Sequence, residues 1–407
     1  MAKEQRIQLI KALENERKGR LVIAYVTSTR IGHELQMGDD ILPRLFHHLE
    51  LGKKSGQTKK GVDLFIHSNG GSGTVPWRIV NLIREYTDSF AVLIPHHAFS
   101  AATLVSLGAD SIVMHKMGLL GPIDPSVTTP FNPPNPQSPG QLVPISVEDV
   151  SAYFTFVKEE VGIQHEDELV QALIALTEKI PPLALGTVQR THNQSRMLAG
   201  KLLRKHMLLP TQSHEIETII ENLKSNFYYH GHPINRYEAR VDLKLKVEFA
   251  EGALEDAMWN LYESYEEELK LNERFNPLHE LELYQQRSGV SAPAAPITTQ
   301  QILAQMQQLA QSGLGLAAPG SQGGLNEEQI VRLAAAMIPI VSATPGVGQS
   351  RDKCKLERLK SGYLESVDRT DVFLSDLTVE RTKVNTPAGP QDATKQEPTW
   401  QRWEIES

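Results

Sequence analysis

A serine and a pair of glycines are the residues of this 407-residue chain that could do chemistry together. Ser100 lies at a predicted strand-to-helix junction, where the positive end of the helix dipole favours an alkoxide-like nucleophile and its anionic products. Gly70 and Gly71 lie between another strand and helix, so the backbone can turn sharply and offer N–H groups to a negative oxygen. Ser100 could equally be an N-cap, and the glycines only a tight turn. A phosphate loop is not predicted, because the Walker lysine and hydroxyl residue are missing.

Four histidines lie near these two segments in the sequence. His96 and His97 precede Ser100 by four and three residues, and in an extended turn such neighbours usually point away from the serine. His67 and His115 fall at predicted strand ends, where we expect them to pack rather than to take part in catalysis. None of the four is therefore the preferred general base.

Alternating strand and helix patterns over the first 130 residues must position these groups. Strands separated by helices imply βαβ units and a largely parallel sheet, so the fold class is α/β. The strands are predicted at residues 21–26, 62–66, 90–94, 112–114 and 119–120, and helices at 41–49, 75–83 and 100–107. A proline-rich loop, 128–144, follows, and the chain then becomes helical.

Two sequence runs carry a family resemblance. VDLFIHSNGG, then a helix, then FAVLIPHHAFSAATLVSLGADSIVMHKMGLLGPIDP resembles the serine dehydrogenase proteinase (SDH) branch of the ClpP/crotonase fold, whose members are serine peptidases related to SppA. Ser100 follows Gly71 by 29 residues, the spacing expected for that fold. The resemblance covers roughly residues 1–247. It implies a fold of repeated ββα and βαβ units, and the pattern and composition of the rest of the chain predict helical segments and a flexible C-terminal tail after them.

The resemblance also implies an oxyanion hole and a catalytic triad. The oxyanion donors would be the backbone N–H groups of Gly71 and Ala101, each typically worth about 3–4 kcal/mol of transition-state stabilisation. The triad would run Ser100, Asp124, His230, with His230 as the base for Ser100 and Asp124 orienting its ring.

The identity of the base leaves an alternative open. ClpP itself has a histidine about 25 residues after its serine, but residues 122–126 here contain none. SppA-like relatives use a lysine instead, and the candidates are Lys116 and Lys158. Lys158 lies beside two glutamates in a predicted helix, and both lysines are expected to be solvent-exposed. His232, two residues after His230, stands where the family has an aromatic residue.

Composition suggests a domain order and excludes some functions. The predicted parts are a peptidase domain, an acidic helical extension, a low-complexity linker, and a short helix with a polar tail: residues 1–247, 248–286, 287–326 and 327–407. The net charge is −8, and residues 251–286 account for it with ten acids and two bases. We expect this acidic helix either to pack on its own core or to contact a neighbouring subunit. The acidic balance argues against nucleic-acid binding.

The remaining features point to an ordinary soluble protein. A single cysteine, Cys354, permits no internal disulfide and no cysteine-based metal site, which fits a reducing compartment. No secretory signal and no run of 18 apolar residues is seen, so a cytoplasmic protein without a membrane span is predicted.

The sequence therefore predicts a cytoplasmic serine endopeptidase that uses no metal or cofactor, acts on peptides or proteins and forms a homo-oligomer. Two other functions stay open. One is a catalytically inactive ClpP-fold scaffold or peptide-binding oligomer. The other is a crotonase-like acyl-CoA enzyme, since two backbone N–H groups can also hold a thioester enolate. No convincing basic patch for the CoA phosphates is seen.

Overall fold

A computed structural model describes residues 3–123, 126–127, 130–134, 142–143, 145–207, 212–223, 232–287, 353–386 and 389–406. The chain forms two compact units. Unit 1 comprises Met1–Phe275, Arg358–Ser375 and Gln401–Ser407; unit 2 comprises Asn276–Glu357 and Asp376–Trp400. Residues 288–352, which include all but the first residue of the predicted linker and the start of the segment predicted as a short helix and polar tail, lie outside the described residues.

The strands are β1 (Leu21–Thr27), β2 (Val62–His67), β3 (Phe90–Ile94), β4 (His97–Ala98), β5 (Ser111–Met114), β6 (Leu119–Leu120), β7 (Ser126–Val127), β8 (Ile145–Ser146), β9 (Ile234–Asn235), β10 (Val247–Phe249), β11 (Lys353–Ser366), β12 (Arg369–Thr386) and β13 (Gly389–Ile405). The α-helices are α1 (Lys3–Glu16), α2 (Leu42–Ser55), α3 (Val75–Arg84), α4 (Ala101–Leu107), α5 (Val147–Thr155), α6 (Glu166–Thr177), α7 (Pro182–Leu203), α8 (Ser213–Glu221), α9 (Arg236–Val241), α10 (Gly252–Leu269) and α11 (Pro277–Arg287). Short 3₁₀ turns occupy Asp39–Ile41 and Gln57–Lys59, and a π-helical turn Phe156–Glu160.

A parallel sheet forms the centre of unit 1. The main sheet has the order β10-β5-β3-β2-β1-β11-β12-β13, and its strands from β10 to β1 pair in parallel. Every residue of β1, β2 and β3 is buried, as expected for a parallel sheet covered on both faces. The strands of a second sheet, β4-β6-β9, and of a β7-β8 ribbon lie between β3 and β10 in the sequence. The predicted α/β class is confirmed, and the strand predicted at residues 90–94 is β3.

Helices pack against this sheet. α3 buries Val75, Ile79 and Ile83 in the same core as the strands, and α4 is buried along its whole length. No single helix among the described residues is long and apolar enough to cross a membrane. α6 and α7 meet that criterion only when counted as a pair, and they are bent by 101°.

The C-terminal segment differs from the predicted short helix and polar tail. Its described part forms β11, β12 and β13, and β11 pairs antiparallel with β1, with Glu365 opposite Ala24. Only Val367 and Asp368 separate β11 from β12, which is the spacing of a β-hairpin. These two residues are not the Asn-Gly or Asp-Gly pair that usually marks a hairpin in a sequence. Partners more than 300 residues apart decide this pairing, so local composition did not indicate it.

The acidic helix α10 packs on its own unit. Its apolar residues Met258, Leu261 and Tyr265 are fully buried, and α10 lies against α1. Of the two expectations for this helix, the structure therefore supports packing on its own core. Its apolar face is not available to a neighbouring subunit.

A buried arginine connects α1 to the C-terminal strands within unit 1. The Arg6 side chain is 1 % exposed and its Nε donates to Glu365 Oε2 at 2.8 Å, while Glu365 is fully buried. Arg6 also donates to Glu406 Oε2 at 3.2 Å and lies over the ring of Tyr363. Residues that the sequence placed in a tail thus contribute to the charged interior of unit 1.

Candidate active site

Two turns lie side by side beyond the carboxyl ends of β2 and β3. The first, residues 68–71, follows β2, and the second follows β4 and contains Ser100. The N–H of Ser68 donates to the carbonyl of His97 at 3.2 Å, and the N–H of Phe99 donates to the carbonyl of Ser68 at 2.9 Å. These backbone hydrogen bonds align the glycine turn with the serine turn.

The backbone at Ser100 adopts a strained conformation. Its φ is 51° and its ψ −110°, values that non-glycine residues rarely adopt. The Ser100 hydroxyl makes no capping hydrogen bond to α4, so the structure does not support the reading of this serine as a side-chain N-cap. A serine on a sharp, strained strand-to-helix turn presents its hydroxyl outward, as in nucleophile elbows. Ser100 is half-buried.

Gly70 permits close contact between the two turns. A Cβ at this position would lie 2.7 Å from the Phe99 carbonyl oxygen, 2.8 Å from the Ala101 nitrogen and 2.9 Å from the Ser100 Cβ. Its φ of +96° also suits glycine. Any larger residue would push the glycine turn away from the serine.

Gly71 is held by the segment before α2. The N–H of Ser72 donates to the Met37 carbonyl at 2.9 Å, and the Met37 N–H donates to the Gly70 carbonyl at 2.7 Å. The Gly71 N–H itself donates to no described residue. Nor does that of Ala101, the first residue of α4, within the part of the chain that the structure describes. Among the described residues, neither of the two N–H groups predicted to form the oxyanion hole has a hydrogen-bond acceptor.

Two hydroxyl residues that the sequence reading did not single out hold these turns in place. Ser68 Oγ accepts hydrogen bonds from Thr27 Oγ1 at 2.9 Å and from the Gly70 N–H at 3.0 Å. Thr103 Oγ1 lies 2.8 Å from the carbonyl oxygens of both Ala98 and Gly121, and accepts from the Gly121 N–H at 3.2 Å. The sequence signal that could have identified them is a small hydroxyl residue beside a glycine turn, for Ser68, and one turn into a short helix, for Thr103.

The two other predicted triad members lie outside the described residues. Asp124 follows Gly121 by three positions, and Thr103 holds Gly121 close to Phe99, next to Ser100. His230 precedes His232, which is described and whose Nε2 lies 3.0 Å from Glu238 Oε1. The roles predicted for Asp124 and His230 stay predictions.

The alternative lysine bases are exposed. Lys116 lies 3.6 Å from Glu255 Oε2 with its side chain 63 % exposed, and Lys158 is exposed on the π-helical turn. A lysine acts as a base when it is desolvated, which neither environment provides. His115 packs flat on the ring of Trp259 at 4.9 Å, as expected for a packing residue.

Known proteins resemble parts of this chain. Residues 51–137 match the sequence model of the ClpP-like SDH-type serine proteinase family. Two uncharacterized proteins of Methanocaldococcus jannaschii, MJ1495 and MJ0137, are 38% identical over 66 residues and 37% identical over 68 residues. These matches cover 16% and 17% of this chain, which spans about a quarter of the length of each relative (23% and 24%).

Solved structures are similar at a lower level. They include a serine-to-alanine mutant of the 1510-N membrane-bound stomatin-specific protease, with a TM-score of 0.34, 13% identity, and coverage of 57% of this chain and 80% of that one. A lysine-to-alanine mutant of the same protease in complex with a substrate peptide gives a TM-score of 0.33 and 12% identity, covering 57% and 75%. The segment that matches the family model contains the glycine turn, Ser100 and the parallel strands β2, β3 and β5. The resemblance to the ClpP-like SDH-type serine proteinases that the sequence indicated is thereby confirmed for residues 51–137.

Proposed function

We propose that this chain is a serine endopeptidase in which Ser100 attacks the carbonyl carbon of a peptide bond. The observation that carries the proposal is the strained turn at Ser100, packed against a glycine turn with the N–H groups of Gly71 and Ala101 available beside it. A tetrahedral oxyanion is the charge that two such donors stabilise.

The proposed reaction has two stages. A base removes the Ser100 hydroxyl proton as Oγ bonds to the carbonyl carbon, and the same group returns the proton to the leaving amine as the peptide bond breaks. Water then attacks the acyl-enzyme by the reverse sequence and releases the carboxylate product. His230 is proposed as this base, and Asp124 as the residue that orients it. The support for both is the family resemblance.

The rival functions have weaker support. An inactive scaffold would have no need of a strained nucleophile turn, because strain of this kind costs stability and is retained where function requires it. A crotonase-like enzyme needs the oxyanion donors but not a nucleophilic serine. The expected homo-oligomer and the cytoplasmic location stay predictions.

A fluorophosphonate probe tests the proposed nucleophile and its base. We expect the probe to label the wild-type chain at Ser100, located by mass spectrometry, and we expect His230→Ala to slow labelling by about 10²-fold or more, the usual contribution of a general base. His232→Gln is the matched control, since this neighbouring histidine contacts Glu238 and has no proposed role. Labelling at another residue would eliminate Ser100 as the nucleophile. An unchanged rate of labelling in His230→Ala would favour a lysine as the base.

Gly71→Ala tests the oxyanion hole. A Cβ at Gly71 would lie 2.4 Å from both the nitrogen and the carbonyl oxygen of Met37, which are backbone atoms that cannot rotate away. The Gly71 N–H must therefore move, and we expect labelling of Ser100 to slow by about 10²-fold, the effect of losing one oxyanion donor. Gly73→Ala is the control in the same turn, because a Cβ there meets nothing within 4 Å. Equal rates in the two variants would contradict the assignment.

A further inference from the structure

Three histidines converge next to the candidate active site. His67 ends β2, and His96 and His97 follow β3 by two and three residues. Phe65 of β2 pairs with Leu93 of β3, so the chain segments after the two strands emerge at the same level of the sheet. One ring nitrogen from each histidine lies within 4.8 Å of one from each of the others.

The ring nitrogens of this histidine cluster are not all satisfied. His67 is fully buried and its Nδ1 has no hydrogen-bond partner among the described residues; the same holds for the buried Nε2 of His97. His67 Nε2 lies 3.2 Å from Thr29 Oγ1, so a hydroxyl fixes one nitrogen of this ring while Nδ1 has no described partner. That is the arrangement of a metal-ligating histidine, whose second nitrogen is oriented by a hydrogen bond.

We propose that His67, His96 and His97 bind one divalent cation of the zinc class. Three imidazole nitrogens without a carboxylate favour zinc and its transition-metal neighbours over magnesium or calcium. In a tetrahedral zinc site, two ligand nitrogens lie about 3.3 Å apart. The ring nitrogens of the cluster lie within 4.8 Å of one another, so each pair would have to approach by about 1.5 Å at most. Nδ1 of His96 and Nδ1 of His97 lie 2.8 Å apart, a distance at which the two rings share one proton. If the two nitrogens move slightly apart, one cation can take the place of that proton. A water would complete the tetrahedron.

The surroundings of the cluster are compatible with added positive charge. Tyr262 of α10 stacks on His96 with ring centroids 5.1 Å apart and meets His67 edge-on at the same distance. The hydroxyl of Tyr262 is hydrogen-bonded to Glu266, whose negative charge also acts on His96. His96 and His97 are partly exposed, so an ion can reach them from solvent.

The bound cation would join the two turns of the candidate active site. His67 directly precedes Ser68, which begins the glycine turn, and His97 begins β4, which leads to Ser100. The three histidines therefore act as positioning residues, and the cation takes no part in peptide hydrolysis itself. The proposal stands on the cluster alone and does not require the proposed peptidase activity.

Zinc binding by the full chain, freed of any histidine tag and stripped with a chelator, tests the proposal. We expect one zinc ion per chain by competition with a chromophoric chelator, a rise in melting temperature on adding zinc but not magnesium, and a tetrahedral Co²⁺ absorption spectrum after cobalt substitution. His67→Gln and His96→Gln should each weaken zinc binding by about 100-fold or more, because two remaining imidazoles hold zinc far less tightly than three.

His115→Gln is the matched control, since His115 directly follows β5 of the same sheet but lies outside the cluster. It should bind zinc as the wild-type chain does. The partly exposed position of His96 makes His96→Gln the variant expected to fold normally, and near-ultraviolet circular dichroism checks this. A wild-type chain that binds no stoichiometric zinc, or a folded His96→Gln that binds it with unchanged affinity, would overturn the proposal. Neither readout depends on peptide hydrolysis, so failure here leaves the proposed function standing.

Discussion

Ser100→Ala is expected to lower peptide hydrolysis by about 10⁴-fold or more, because removing the nucleophile leaves only the contribution of the oxyanion hole and substrate binding. The measurement is the rate of appearance of new peptide termini, followed by mass spectrometry, when the chain is incubated with a mixture of unfolded proteins. The oxyanion donors Gly71 and Ala101 are backbone groups and remain in this variant. Activity retained at the wild-type level would eliminate Ser100 as the nucleophile, whereas no activity in the wild-type chain would favour the scaffold function.

Ser100→Gly separates catalysis from stability at the same position. Both variants lack the hydroxyl, so both should be inactive. Glycine adopts the φ of 51° at Ser100 without strain, and alanine does not. Ser100→Gly should therefore unfold at a higher urea concentration than Ser100→Ala, by about 1 kcal/mol in the free energy of unfolding. Equal stabilities would indicate that the turn at Ser100 is not strained.

Arg6→Met is expected to reduce the free energy of unfolding by about 3–5 kcal/mol, the usual cost of leaving one partner of a buried ion pair without its counter-charge. Glu365 is fully buried, and it accepts hydrogen bonds from the Tyr265 hydroxyl at 2.6 Å and Thr370 Oγ1 at 2.7 Å as well as from Arg6. Neither hydroxyl replaces a positive charge. Urea unfolding monitored by circular dichroism measures the loss.

Two further variants identify the cause. Arg78→Met removes an arginine whose ion pair with Asp39 is more than half exposed on both sides, and it should cost no more than about 1 kcal/mol. The double variant Arg6→Met with Glu365→Gln should recover part of the stability, because the buried charge is removed with its partner. If Arg6→Met reduced the free energy of unfolding by no more than Arg78→Met does, the segment Arg358–Ser375 would not be an integral part of unit 1.

Local pattern was sufficient for most of the secondary structure that carries the site. The β-branched run at Phe90–Ile94 is fully buried as β3, and the short apolar helix predicted from Ser100 is α4. The Gly-Gly turn and the spacing of 29 residues to Ser100 indicate the family resemblance from the sequence alone. Such features are visible in a sequence because burial, helix caps and tight turns are governed by neighbouring residues.

Contacts between distant segments could not be read in the same way. The sequence predicts a polar tail where the structure has the C-terminal strands, because their burial depends on pairing β11 with β1 and on a charge partner for Glu365 in α1. The acidic helix α10 gave no sign of which surface its apolar face covers. The sequence predicts that His67 packs at a strand end and that His96 and His97 point away from Ser100, and the 29 residues between His67 and His96 gave no sign that the three side chains meet.

The sequence by itself determined the α/β class, the two turns and the residue types placed on them, because each of these follows from local backbone preference and the period of the apolar residues. Only the tertiary structure decided that Gly70 lies against Ser100, that three histidines share one space beside it, and that Arg358–Ser375 belongs to the same compact unit as the parallel sheet. The physical reason is that parallel strands bring together residues whose distance along the chain carries no information about their distance in space.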